Sequence, residues 1–221
     1  MKITGKTVLL FDLDGTLTDP AEGITNSFVH AYKYFGLEVP SFETLCTFIG
    51  PPLKDTIKNQ FGFTDEEKIN LGVKKYREYF AEKGLFENRV YKGIPELLQK
   101  LKDAGYRLFI ATSKPEDFAV RIAEKFDFAK YFEKICGCCM DETRTRKAEV
   151  IAYALEKAGI TEERKSEVLM IGDRHHDIDG AKEMGVDSCG VLFGYGDRKE
   201  HEEAGANYIA ETIEDLSKLL L

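Results

Sequence analysis

The chain has 221 residues, 43% of them hydrophobic and 32% charged, which is enough apolar material for one large core or for a core and a smaller second domain. A formal net charge of −8 argues against a nucleic-acid partner, whose phosphates need a basic face, but leaves room for a locally positive pocket around a small anion. No apolar stretch approaches the roughly 20 residues of a membrane span. Residues 1–5 run straight into the first strand with no room for a signal peptide, and five cysteines, an odd number, suit a reducing compartment, so the expected location is the cytoplasm.

The first element is the apolar run Val8–Phe11, which reads as a strand buried on both faces of a parallel sheet. It ends in two aspartates, Asp12 and Asp14, followed by Gly15 and Thr16. A bare carboxylate at the end of a buried strand is costly unless a cation or a reacting group lies there. Carboxyl ends of strands are also where open α/β sheets bind ligands. Alternation puts Asp12 and Asp14 on one side, and Thr16 offers a hydroxyl and a nearby N–H to an anion.

Residues 19–88 show no convincing strand. Ile24, Phe28, Tyr32 and Phe35 recur at helical spacing, as do Ile69, Val73, Tyr76 and Phe80, with Thr64 and Glu67 as a capping box before the second set. Phe48-Ile49-Gly50-Pro51-Pro52-Leu53-Lys54 is a stiff loop between helices. Beyond residue 88 strands and helices alternate. Strands are expected at Leu108–Ala111, Phe132–Cys136, Val168–Ile171, Ser188–Leu192 and Tyr208–Ile209. Helices are expected at Ile94–Leu101, Pro115–Lys125, Lys147–Ala158, Asp179–Met184 and Thr212–Leu220. The pattern predicts an α/β protein with a doubly wound parallel-sheet core, residues 1–18 and 89–221, and an inserted all-helical domain, residues 19–88.

Three further strand ends carry chemistry. Thr112-Ser113-Lys114 joins a buried strand to a helix, so its hydroxyls and free N–H groups can bind an anion; apart from that position it would read as an ordinary helix cap. Lys147 opens a helix, where a cation opposes the dipole, which favours a functional reason for its presence, although Arg144 and Arg146 lie nearby. Val168–Ile171 leads into Gly172-Asp173, with Asp177 four residues on.

Asp12-Leu13-Asp14-Gly15-Thr16 is the Asp-x-Asp-Gly-Thr pattern of the haloacid dehalogenase superfamily. The chain resembles its phosphatase branch, and phosphoglycolate phosphatase-like members in particular, over nearly its whole length. The resemblance implies a core of that fold with a helical cap, and a phosphoryl transfer that begins with Asp12 as nucleophile. Asp14 would shuttle the proton, a role that goes with phosphoester rather than carbon–halogen chemistry in the family. Thr112 matches the phosphate-binding hydroxyl, with Ser113 beside it. Lys147 matches the charge-balancing lysine, although the family's usual Lys-Pro is here Lys147-Ala148. Asp173 would complete a Mg²⁺ site with Asp12 and the backbone carbonyl of Asp14, and Asp177 would orient Asp173, Lys147 or a water. Related phosphatases set a loop like 48–54 over the active site, which makes Gly50 and Lys54 candidate substrate contacts.

Other conspicuous residues read as structural. His175 and His176 have no further ligands at metal spacing and read as a polar loop. Cys136, Cys138 and Cys139 lack a second ligand pair and read as small reduced residues at the sheet edge. Gly194-Tyr195-Gly196 receives no catalytic role. The expected activity is hydrolysis of a small phosphorylated metabolite by a monomer, since no heptad pattern stands out. A nucleotidase or pyrophosphatase, a sugar phosphomutase, or a phosphate-binding module without turnover are the alternatives.

Overall fold

The structure is a computed structural model that describes residues 2–139 and 143–221. The chain divides into two compact units, one comprising the chain up to Asp19 together with Val90–Leu221, the other Pro20–Arg89. Strand β1 (Val8–Phe11) is followed by the short β2 (Thr18–Asp19), after which the chain enters the second unit.

That unit is helical: α1 (Ala21–Tyr34), α2 (Phe42–Cys46), α3 (Leu53–Phe61), α4 (Glu66–Tyr79) and a π-helical turn over Phe80–Gly84. The repeated apolar positions face inward, with Ile24, Phe28, Tyr32, Ile69, Tyr76 and Phe80 all buried. Phe28 is the hub, its ring centroid 4.8 Å from Tyr76 and 5.2 Å from Phe48. α4 starts one residue later than a Thr64 cap would place it. Asp65 is the N-cap, its carboxylate accepting from the Glu67 N–H at 2.8 Å, which agrees with the strength of aspartate at that position.

After β3 (Arg89–Val90) come α5 (Ile94–Asp103), β4 (Arg107–Pro115), α6 (Glu116–Lys125), β5 (Lys134–Cys138) and α7 (Lys147–Ala158). The remaining elements are β6 (Val168–Gly172), α8 (His175–Met184), β7 (Asp187–Val191), α9 (Arg198–Ala204), β8 (Tyr208–Ala210) and α10 (Ile213–Leu220). Six strands form one sheet in the order β5-β4-β1-β6-β7-β8, with every neighbouring pair parallel. This is the α/β doubly wound architecture expected from the strand–helix alternation.

All four β1 residues are fully buried. Val8 and Leu10 share a core with Phe109, Val150, Ile151, Ala154, Met170 and Ala181, which holds α7 and α8 against the sheet. Burying each large side chain is worth about 1.5–3 kcal/mol, so this layer fixes the strands firmly. The order has β1 in the middle, and the chain winds first to β4 and β5, then back to β6, β7 and β8. The reversal falls at β1, and the carboxyl ends of strands at such a point are where open α/β sheets bind ligands. Phe11 pairs with both Ile110 and Ile171, so the residues emerging together there are Asp12, Ala111–Thr112 and Gly172–Asp173.

Two helices depart from expectation. α8 starts at His175 rather than Asp179, because Asp177 accepts the Arg174 N–H at 3.1 Å and closes the first turn from within. His175 and His176 therefore lie on a helix, not in a loop. α9 has no counterpart in the expected elements. It is highly charged and buries only His201, yet Asp197 caps it by accepting from the Glu200 N–H at 2.8 Å, and Gly205 ends it in a left-handed turn.

Candidate active site

Asp12, Asp173 and Asp177 bring one carboxylate oxygen each within 4.8 Å of one another, and all three are buried. Lys147, at the start of α7, reaches into them. Its Nζ lies 2.7 Å from Asp12 Oδ1, 2.7 Å from Asp177 Oδ1 and 3.1 Å from the Ala111 carbonyl. Burial works against its charge, but Asp12 and Asp177 outweigh that and hold the ammonium above its ordinary pKa. The lysine at a helix start is thus explained by two carboxylates.

Asp173 is held from three sides. Thr16 Oγ1 donates to its Oδ1 at 3.3 Å, and the Tyr195 N–H donates to its Oδ2 at 2.8 Å. Gly15, at φ 81°, permits the third approach: a Cβ there would stand 2.1 Å from Asp173 Oδ2. Gly172 makes the same allowance for Asp177, whose Cγ would be 2.1 Å from an added Cβ. Asp14 faces a second buried lysine, Lys114, with Nζ to Oδ2 at 2.7 Å. Thr112 is buried and accepts the Lys114 N–H on its hydroxyl at 3.2 Å.

Residues 9–191 match the model of the family described as haloacid dehalogenase-like hydrolase. The chain belongs to the haloacid dehalogenase-like hydrolases. It is 47% identical over 192 residues to a 5'-nucleotidase of Pseudomonas aeruginosa, covering 87% of this chain and 85% of the relative. It is 33% identical over 194 residues to a phosphoglycolate phosphatase of Agrobacterium fabrum, covering 85% of this chain and 81% of that one. The crystal structure of a predicted phosphatase from Clostridium acetobutylicum superposes with a TM-score of 0.90 at 44% identity, over 96% of this chain and 97% of the other. The protein is a phosphatase of this haloacid dehalogenase-like family.

A divalent cation, which such phosphatases generally use, fits this donor set. Four aspartates (Asp12, Asp14, Asp173, Asp177) meet two ammonium groups, leaving two negative charges unbalanced. At an effective dielectric constant near 20, each like-charged pair about 4 Å apart costs about 4 kcal/mol. The strain shows in the carboxyl groups. Burial, then Asp177 and Asp12, push Asp173 well above the usual carboxylate range. Burial lifts Asp177 to about 6 against the pull of Lys147.

Between the unfolded carboxyl value of about 4 and these raised values, the folded chain holds protons that the unfolded chain has lost. The raised pKa values therefore take stability away as pH climbs through that window, and the loss is complete above it. A cation competes with those same protons and restores what was lost. Added Mg²⁺ should accordingly raise the melting temperature more at about pH 7.5 than at about pH 5, relative to chelator at the same pH. An equal shift at both values would contradict the site.

Asp12, Asp14, Thr16, Thr112, Lys147, Asp173 and Asp177 gather at neighbouring strand ends. Thr16 is spent on Asp173 rather than left open. Ser113 is exposed, whereas Thr112 and Lys114 on either side are buried. Gly50 and Lys54 lie in the helical unit, Gly50 at φ 108° and Lys54 Nζ 3.3 Å from Glu66. Lys114 and Tyr195 were not among the expected site residues. The glycines flanking Tyr195 were the available signal, since a Cβ on Gly194 would stand 2.4 Å from Asp173 Cβ. His175 binds Asp179 at 2.9 Å and lies tilted against His176, with ring centroids 3.8 Å apart, and neither ring joins the carboxylate cluster. Burial pushes the Cys136 thiol up to about 12, which fits an inert core residue.

Proposed function

We propose that the protein is a Mg²⁺-dependent phosphatase of small phosphate monoesters that works through an aspartyl-phosphate on Asp12. The observation that carries this reading is the buried ammonium of Lys147, 2.7 Å from both Asp12 and Asp177, beside Asp173. An Asp12 oxygen attacks phosphorus while the bond to the leaving oxygen breaks, and that oxygen departs with a proton from Asp14. Asp14 then takes a proton from water, the water oxygen attacks phosphorus, and the bond to Asp12 breaks to release phosphate. Lys147 holds Asp12 in place and balances charge through both steps. Thr112, Ser113 and N–H groups at their turn bind the phosphoryl oxygens. Asp12 and Asp173, with the Asp14 carbonyl, would hold Mg²⁺, which when bound neutralises the phosphoryl oxygens.

The helical unit is proposed as the family's cap, with Gly50 and Lys54 as substrate contacts, on the strength of the loop's resemblance. A free metabolite as substrate, a monomeric state and a cytoplasmic location complete the reading. Five cysteines without a disulfide support the last, and among the described residues no helix is long and apolar enough to cross a membrane.

The test is phosphate release from a panel of metabolites with Mg²⁺ and with chelator. Nucleoside 5'-monophosphates lead the panel because of the likeness to a 5'-nucleotidase, followed by phosphoglycolate, hexose phosphates and pyrophosphate. Mg²⁺-dependent release from at least one monoester is expected. A hexose phosphate converted to its isomer without free phosphate would instead indicate a mutase.

A further inference from the structure

Lys114 is a second buried cation at the site, and its ion pair is with Asp14 rather than with Asp12. It arrives there by an irregularity in β4. Ala111 pairs with Cys136 and Pro115 with Cys138, so four steps along β4 oppose two along β5. The extra residues bulge at the carboxyl end of the strand, and bulges re-aim side chains. Here the bulge leaves Ser113 exposed and turns Lys114 inward, its side chain 5% exposed. Burying an ammonium is expensive without a partner. The partner is Asp14 Oδ2 at 2.7 Å. The other oxygen, Asp14 Oδ1, is buried and has no hydrogen-bond partner. One oxygen is therefore tied and the other is left for a group that arrives.

We propose that Lys114 is a positioning residue that fixes Asp14 by its Oδ2, so that Oδ1 faces the leaving oxygen of the substrate. This rests on the phosphatase reading above. In the first step the proton on Asp14 Oδ1 passes to the leaving oxygen as the P–O bond breaks, giving an alcohol, while Lys114 keeps its own proton and its grip on Oδ2. The consequence concerns substrate class. A leaving group of high pKa, such as the alkoxide of a sugar or glycolate ester, needs that proton. A nitrophenolate does not.

The experiment compares Lys114→Met with wild type on an alkyl phosphate and on p-nitrophenyl phosphate, with Mg²⁺ saturating. In the first turnover, before the water step that both esters share, release of the alcohol should slow on the order of 10²-fold, the usual scale of a positioned proton donor, and release of nitrophenol should hardly change. A structural disturbance would slow both alike, and an equal loss on both overturns the proposal. Removing the lysine leaves Asp14 buried without its cation, so the pair is also tested in a form that relieves that charge. In an Asp14→Asn background, adding Lys114→Met should cost no further alkyl-ester activity; an additional loss there also counts against it. If wild type hydrolyses neither ester with Mg²⁺, the phosphatase reading itself has failed, which is distinguishable from a wild type that turns over both.

Discussion

Asp12→Asn should abolish phosphate release, with kcat lower by at least on the order of 10⁴-fold, as when a covalent nucleophile is removed. The amide is nearly isosteric but cannot displace the leaving oxygen. Lys147 keeps its second partner, Asp177, at 2.7 Å. The β1 core beneath it is untouched, with Val8 to Phe11 fully buried. A cooperative melt close to that of wild type should therefore accompany the loss. Phosphate release by the variant at the wild-type rate, measured with the best substrate of the panel, would exclude Asp12 as nucleophile.

Lys147→Met should have the second large effect, and on two readouts. The variant leaves Asp12, Asp173 and Asp177 within 4.8 Å of one another with no ammonium among them. Removing one partner of a buried ion pair typically costs about 3–5 kcal/mol, so in chelator the fold should lose stability on that scale. A saturating divalent cation should recover part of it, because the vacated negative charge favours the cation. Activity should not recover with it, since nothing then balances Asp12 and the phosphoryl group together; a fall in kcat of about 10²–10⁴-fold is expected. Urea unfolding with and without Mg²⁺, run beside turnover, separates the two effects. Full activity in the Met variant would mean that Lys147 serves packing alone.

Much of this architecture could be read from the chain because burial and chemistry alternate sharply along it. Val8–Phe11 and Val168–Ile171 are continuous apolar runs that end at once in Asp12 and Gly172-Asp173. Only a strand covered on both faces, with its end at a ligand site, accounts for that sequence. Lys147–Ala158 was legible for a similar reason, with apolar positions at helical spacing and Gly159 in the left-handed conformation at its end. The parts that were not legible depend on which strands become neighbours. Lys114 lies past the apolar run of its strand, in a segment that reads locally as a cap, and only the adjacency of β4 to β1 delivers it to Asp14. Tyr195 acts on Asp173 through its backbone N–H, a group every residue but proline possesses, so its identity carries no signal. α9 is hard to read because a charged seven-residue helix offers almost no apolar period; its marks are Asp197 with Glu200 at capping-box spacing and Gly205 after its last turn.

The helical unit shows the same division. Its repeating aromatics were visible, while the start of α4 turned on whether Thr64 or Asp65 took the cap. The histidine pair illustrates how a local reading fails. His175 and His176 resemble a loop in isolation, but Asp177, two residues from His175, closes a helical turn around them.

The most direct test is to mix enzyme, Mg²⁺ and a turned-over phosphate ester, quench in acid within a single turnover, reduce with borohydride and map the peptides. Reduction converts an aspartyl-phosphate to homoserine, and homoserine at position 12 alone is the expected result. Homoserine at another aspartate, or none anywhere under conditions in which phosphate is being released, would contradict phosphoryl transfer through Asp12.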